Sequence, residues 1–153
     1  YPDHRSLGCF VRSHLRPNDI VVAQDALQQY WYVGKVDYWL RQPDSIDSFL
    51  FRSNGVLKDI YVLSEPTSDE NINKLKTSKE RIWVITSGEV YNFKDHFLGV
   101  NSLQRNWIDH IEETYKPITT GLDNASAVYC INCSTVLSAP GLAKSGACSK
   151  NTY

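Results

Sequence analysis

Hydrophobic positions at the start of the chain recur at helical spacing: Leu7, Phe10, Val11, His14 and Leu15 share one face of residues 4–15. Gly8 weakens that helix, and Pro17 stops it by restricting Arg16 to extended backbone. "DIVVAQ" follows as a short, continuous apolar run, the kind that is buried on both faces of a parallel sheet. Asp25 can cap the next helix, "ALQQYWYVG", and Gly34 can end it in a left-handed conformation. "VDYWL" reads as a second strand. Residues 41–55 form an excursion with turn signals at Pro43 and Asn54-Gly55, and "DIYVL" is a third strand. Thr67 to Glu70 has capping-box spacing and opens a polar helix to about Lys79, with Ile72 and Leu75 facing in. "RIWVIT" is the clearest strand, apolar and rich in β-formers. Leu103, Trp107, Ile111 and Tyr115 then recur every four residues, marking the inner stripe of a helix over about 101–116 that Pro117 ends. "SAVYCI" is the last strand.

Strands alternating with helices predict an α/β domain: a Rossmann-like three-layer sandwich with a mostly parallel sheet and right-handed crossovers. It covers residues 1–133. From Ser134 to Tyr153, Ser, Ala, Gly and Pro dominate and periodicity disappears, so 134–153 reads as a tail. No internal repeat and no second domain emerge.

Composition narrows the picture. The 153 residues suffice for one domain with a substantial core, and 42% hydrophobic against 22% charged residues argues against disorder. A formal charge of -1 without a Lys/Arg cluster gives nucleic acid nothing to bind. No apolar run is long enough to span a membrane, and "YPDHRSLGCF" lacks the pattern of a signal peptide. The chain contains no Met, which leads us to expect a mature or excised segment whose targeting or transmembrane elements lie elsewhere in a parent protein.

Chemistry-bearing residues are few. After the first strand, "QDALQQY" has no glycine until Gly34, so the dinucleotide fingerprint and the phosphate-loop pattern are both missing, and no cofactor is expected. Asp25 and Asp37 sit near strand ends, where they can orient hydroxyls or a metal. Asp25 serves equally as a cap, and Asp37 as a partner for Lys35 or Arg41. Ser87 lacks the flanks of a nucleophile elbow. His4, His14, His96 and His110 show no paired metal spacing. "CINC" has metal or redox spacing, but a zinc site would need a comparable second pair, for which Cys9 and Cys148 are a poor substitute. Cys9, Cys130, Cys133 and Cys148 are therefore disulfide candidates first, with free thiols or metal ligation as alternatives. "NAS" (124–126) and "NCS" (132–134) match the N-glycosylation acceptor pattern, which counts where the host glycosylates and the site is exposed.

Read in order, "LRPNDIVVAQDALQQYWYVGKVDYWLRQ", "GVLKDIYVL", "RIWVITSGEVY", the Trp107 helix and "TGLDNASAVYCI" resemble a known family over about residues 5–131. It is the soluble C-terminal region of polytopic membrane glycosyltransferases related to the protein O-mannosyltransferases and the aminoarabinose transferases of lipid A. "YVGKVDYWL" and "RIWVIT" are the most specific pieces; the tail has no counterpart. The resemblance implies a water-exposed domain on the extracytoplasmic side of a membrane. Its parent would transfer a sugar from a polyprenyl-phosphate carrier, using a carboxylate in the membrane half. No catalytic residue carries over, so the isolated chain is expected to be inactive, with an acceptor-recognition or assembly role. The implied partners are the membrane half, a glycan or lipid-linked sugar, and an acceptor protein. Aromatic faces and polar groups suit carbohydrate, which nominates Trp31, Asp37, Tyr38 and Trp39 as substrate-binding residues. The competing expectation is that these rings fill the core. A stand-alone extracellular ligand-binding or interaction module of Rossmann-like shape is the alternative function.

Overall fold

The computed structural model describes residues 3–40, 65–66, 69–87, 102–122 and 124–133. The excursion over 41–55, the expected strand "DIYVL", His96 and the tail from 134 lie outside the described residues. The elements are α1 (His4–His14), β1 (Ile20–Ala23), α2 (Ala26–Val33), β2 (Tyr38–Trp39), β3 (Glu65–Pro66), α3 (Asp69–Thr77), β4 (Ile82–Thr86), α4 (Ser102–Thr114), β5 (Thr119–Thr120) and β6 (Ala127–Ile131).

Local chemistry sets the helix ends. Asp3 caps α1 by accepting the Ser6 N–H at 3.3 Å. Asp25 caps α2 by accepting the Gln28 N–H at 3.1 Å, which satisfies one of the orphan donors of the first turn. Gly34, at φ 86°, closes α2 in the left-handed conformation expected of it, its N–H bonded to the Tyr30 carbonyl at 3.0 Å.

The six strands form one sheet in the order β3-β2-β1-β4-β6-β5. β3, β2, β1 and β4 run parallel, whereas β6 is antiparallel to both β4 and β5. The sheet is thus parallel through four adjacent strands, as the sequence pattern predicts, and mixed only through β6. The reason lies in a short hairpin after α4. β5 runs in the direction of β4 but contributes only two residues, and the turn from Gly121 to Ser126 inserts the returning strand β6 between them. Thr119 and Thr120 offer no apolar run by which the extra strand could be read from sequence.

Alternation along the strands builds two cores. Val21, Ala23, Trp83, Ile85 and Val128 face Leu7 and Val11 of α1 and Ala26, Tyr30 and Val33 of α2. Val22, Ile82, Val84, Ala127 and Tyr129 face Ile72 and Leu75 of α3 and Trp107, Ile108 and Ile111 of α4. Helices therefore cover both faces, and every residue of β4 is buried, as its continuous apolar run requires.

Gly8 is what lets α1 and α2 pack together. A Cβ at this position would meet the Tyr32 Cβ at 2.5 Å and would also collide with Gln29 Oε1. Gly8→Ala is expected to lower stability by about 1–3 kcal/mol, because overpacking outweighs the roughly 1 kcal/mol gained in helix propensity. A urea titration that finds the alanine variant more stable would show that the helices have room to separate.

The amino ends of β1 and β4 are tied by a buried ion pair. The Arg81 Nη2 lies 2.7 Å from Asp19 Oδ2, and its Nε donates to both carboxylate oxygens at 3.1 and 3.2 Å. Asp19 Oδ2 also accepts the Trp83 indole N–H and the Arg16 backbone N–H, each at 2.9 Å. Arg81 reaches on to the His14 carbonyl at 2.9 Å, so α1 is fastened to the same point.

Candidate functional site

In open α/β sheets, ligands bind outside the carboxyl ends of the strands, where connections leave to opposite faces. Here that place lies between β1 and β4. α2, which follows β1, covers one face, while α4, the next described helix after β4, covers the other. Its centre is closed by side chains. Gln24 is 4% exposed and Ser87 7%. The Gln24 Oε1 accepts the Ser87 N–H, its backbone N–H donates to the Ile85 carbonyl at 3.1 Å, and its carbonyl accepts the Trp39 indole N–H at 3.1 Å. Beside it, Asp25 Oδ2 lies 3.5 Å from His4 Nε2, and the His4 carbonyl accepts from Gln29 Nε2 at 3.2 Å. Polar groups here bind strand ends to helix starts. Gln24 carries that role through a carboxamide whose sequence context gives no sign of it.

A second place is open. Between α3, α4 and the end of β6 lies a groove of about 530 Å³, lined by Lys76, Asn106, Trp107, His110, Tyr115 and Asn132 among others. That volume is of ligand size. Its floor is built from core: Trp107 and Ile111 are buried against the sheet by the inner stripe of α4. Its rim is polar, because Asn106 and His110 stand one helical turn apart on the exposed flank of α4. The far wall is held by Asn132, at φ 63°, whose Nδ2 donates to the Ser78 carbonyl at 2.9 Å and the Glu80 carbonyl at 2.8 Å. Asn tolerates the left-handed region better than most residues. The four-residue spacing of the helix signals Trp107 as core, and nothing in it marks the neighbours as a rim.

The residues nominated from sequence do not meet at either place. Tyr38 and Trp39 are consecutive in β2 and point to opposite faces. Tyr38 packs half-buried on the α3 and α4 side, and Trp39 is buried on the α1 and α2 side at 1% exposure. Trp31 is half-buried on α2. Asp37 lies at the amino end of β2, where Oδ2 accepts the Val21 N–H at 2.8 Å and stands 3.4 Å from Lys35 Nζ. Trp39 thus has no face to offer a ligand, and Asp37 fastens β2 to β1, with the Lys35 pairing foreseen for it.

Cys130 and Cys133 are joined by a disulfide across the turn that ends β6, and Cys9 is disulfide-bonded too. Cys148 lies outside the described residues. His14 caps the end of α1 through its Nδ1, 2.9 Å from the Phe10 carbonyl. Among the described residues, no cluster of three or more His, Cys, Asp or Glu side chains is arranged to hold a metal ion.

Compared with protein-family models, curated proteins and solved structures, the chain shows no match. Function must therefore be argued from the geometry and from the segments that carry the resemblance. Among the described residues, no helix is long and apolar enough to cross a membrane.

Proposed function

We propose that this chain is the extracytoplasmic α/β domain of a polytopic membrane glycosyltransferase that uses a polyprenyl-phosphate sugar donor. Its main support is that four segments of the resemblance supply one contiguous run of strands. "NDIVVAQ", "KVDYWL", "RIWVIT" and "SAVYCI" supply the adjacent strands β2, β1, β4 and β6. The parallel order β3-β2-β1-β4, with helices on both faces, supports a Rossmann-like reading. The disulfide at the end of β6 suits an oxidising, extracytoplasmic location.

The domain's role is accessory. It contributes no catalytic centre, and the membrane half of the parent performs the transfer. The groove between α3 and α4 takes the recognition role that the sequence pattern assigns to Trp31, Asp37, Tyr38 and Trp39. Lys76, Asn106 and His110 supply hydrogen bonds to sugar hydroxyls or to a carrier phosphate, and Tyr115 supplies a ring. The same groove would also serve a stand-alone extracellular ligand-binding module.

One measurement separates these readings, and a second tests the recognition role that they share. The coding sequence upstream of Tyr1 should encode a multi-span membrane half; a signal peptide alone would sink the transferase assignment. Titrating glycans and lipid-linked sugar analogues should change tryptophan fluorescence through Trp107. His110→Ala should weaken that binding by about tenfold, the value of one good polar contact, while Trp31→Ala binds like the parent. If none of these probes changes the fluorescence, the recognition role fails, whatever lies upstream.

A further inference from the structure

The asparagines of the two Asn-x-Ser triplets are both exposed and both left-handed, but they differ in what their side-chain amides hold. Asn124 lies in the turn from Gly121 to Ser126 that joins β5 to β6. Its backbone N–H bonds to the Gly121 carbonyl at 3.0 Å, and the turn is closed by the Gly121 N–H on the Ser126 carbonyl at 2.7 Å. The residue is exposed and adopts φ 58°, a left-handed conformation that Asn accepts readily. Backbone bonds and the Asp3 carboxylate, which accepts the Leu122 N–H at 3.0 Å, hold this turn, and Asn124 stands exposed on it. On the same turn, Leu122 is 79% exposed, the one large hydrophobic side chain so exposed among the described residues.

Asn132 is also exposed and also left-handed, but its amide is not free. Both hydrogens of its amide are committed, one to Ser78 and one to Glu80, and they fix the link between α3 and β4 against the end of β6. A sugar on Nδ2 would remove one of these bonds and would need the space that the link occupies.

We propose that Asn124 is an N-glycan acceptor and that Asn132 is kept free of glycan by the fold. The step takes a lipid-diphosphate-linked oligosaccharide as donor. A bond forms between Asn124 Nδ2 and the anomeric carbon, the bond from that carbon to the diphosphate oxygen breaks, the lipid diphosphate leaves, and one amide proton is released. The glycan would project from the hairpin tip and shield Leu122, where a bulky substituent displaces none of the packed core. This assignment rests on the oxidising-compartment part of the proposed function and is independent of the transferase part. The disulfide on the same strand supports that compartment.

The test uses the whole protein made from its own gene in its own host. Peptide:N-glycosidase digestion in heavy-oxygen water should leave the label on residue 124 and none on residue 132. Asn124→Asp, which keeps a residue tolerant of the left-handed turn, should abolish one gel-mobility step. Asn132→Gln should retain that step and lower the melting temperature. Label at 132, or no label at 124, overturns the assignment. Alkylation before and after reduction tells the two failures apart. Free thiols at Cys130 and Cys133 without glycan would overturn the compartment along with it, whereas an intact disulfide without glycan would overturn this assignment alone.

Discussion

Arg81→Ala is expected to destabilise the fold by about 3–5 kcal/mol, a large fraction of the stability of a domain this size. The Asp19 side chain is 5% exposed and that of Arg81 15%, so deleting the guanidinium leaves a largely buried carboxylate without its counter-charge. The remaining donors, the Trp83 indole and the Arg16 backbone, satisfy lone pairs but carry no charge. Because β1 and β4 meet the C-terminal end of α1 at this point, the loss should appear in the global unfolding transition. A double-mutant cycle with Asp19→Asn should show strong coupling, since removing both charges leaves no uncompensated ion. Near-additivity would mean that the pair is held by its neighbours and contributes little itself.

The same site sets a pH dependence. Burial pushes the Asp19 carboxyl up, but the hydrogen bonds from Arg81, Trp83 and Arg16, together with the charge of Arg81, outweigh it and hold the group below its ordinary 3.8. A carboxylate depressed in the folded state stabilises the protein above its unfolded value. That contribution is lost as pH falls through the folded value, so the decline should begin near about pH 5. The stability difference between the parent and Asp19→Asn should therefore be largest at neutral pH and shrink in acid. A constant difference would mean that the Asp19 carboxyl titrates alike in the folded and unfolded states.

Much of the fold was legible in the sequence wherever a local rule and the tertiary demand agree. Asp25 and Gly34 bracket α2 because a cap and a left-handed stop are needed whatever the helix packs against. "RIWVIT" is apolar throughout because β4 is covered on both sides. What escaped has no local signature. Asp19 looks like one more polar residue of the turn "RPND", and only pairing with a residue 62 positions away makes it central. Gly8 looks like a flaw in a helix until α2 is laid across it. The groove escaped for the same reason: Asn106, His110 and Asn132 become one rim only when β6 is brought beside α4. The aromatic cluster misled by its density, because in a strand adjacent rings must part company.

Trp39→Ala is the second large effect expected, a loss of about 3–5 kcal/mol as for other buried aromatic truncations. Trp39 is 1% exposed, and it packs with Val21, Trp83 and Val33 while its indole N–H meets the Gln24 carbonyl. Trp39→Phe separates the two contributions. It keeps most of the ring but leaves that carbonyl without its donor, and it should cost about 1–3 kcal/mol. Trp31→Ala, on the half-exposed side of α2, should cost about 1 kcal/mol or less. Urea midpoints with unchanged slopes would give this order directly. The order matters for function. A tryptophan kept for binding would lose affinity on truncation and leave the midpoint nearly untouched, and that outcome at Trp39 would return it to the list of ligand contacts. The expected order instead assigns Trp39 to closing the carboxyl end of β1, where Gln24 also reaches Ser87. A binding surface on this domain is then to be sought where a ring keeps an open face, and in the groove beside α4 Tyr115 is such a ring.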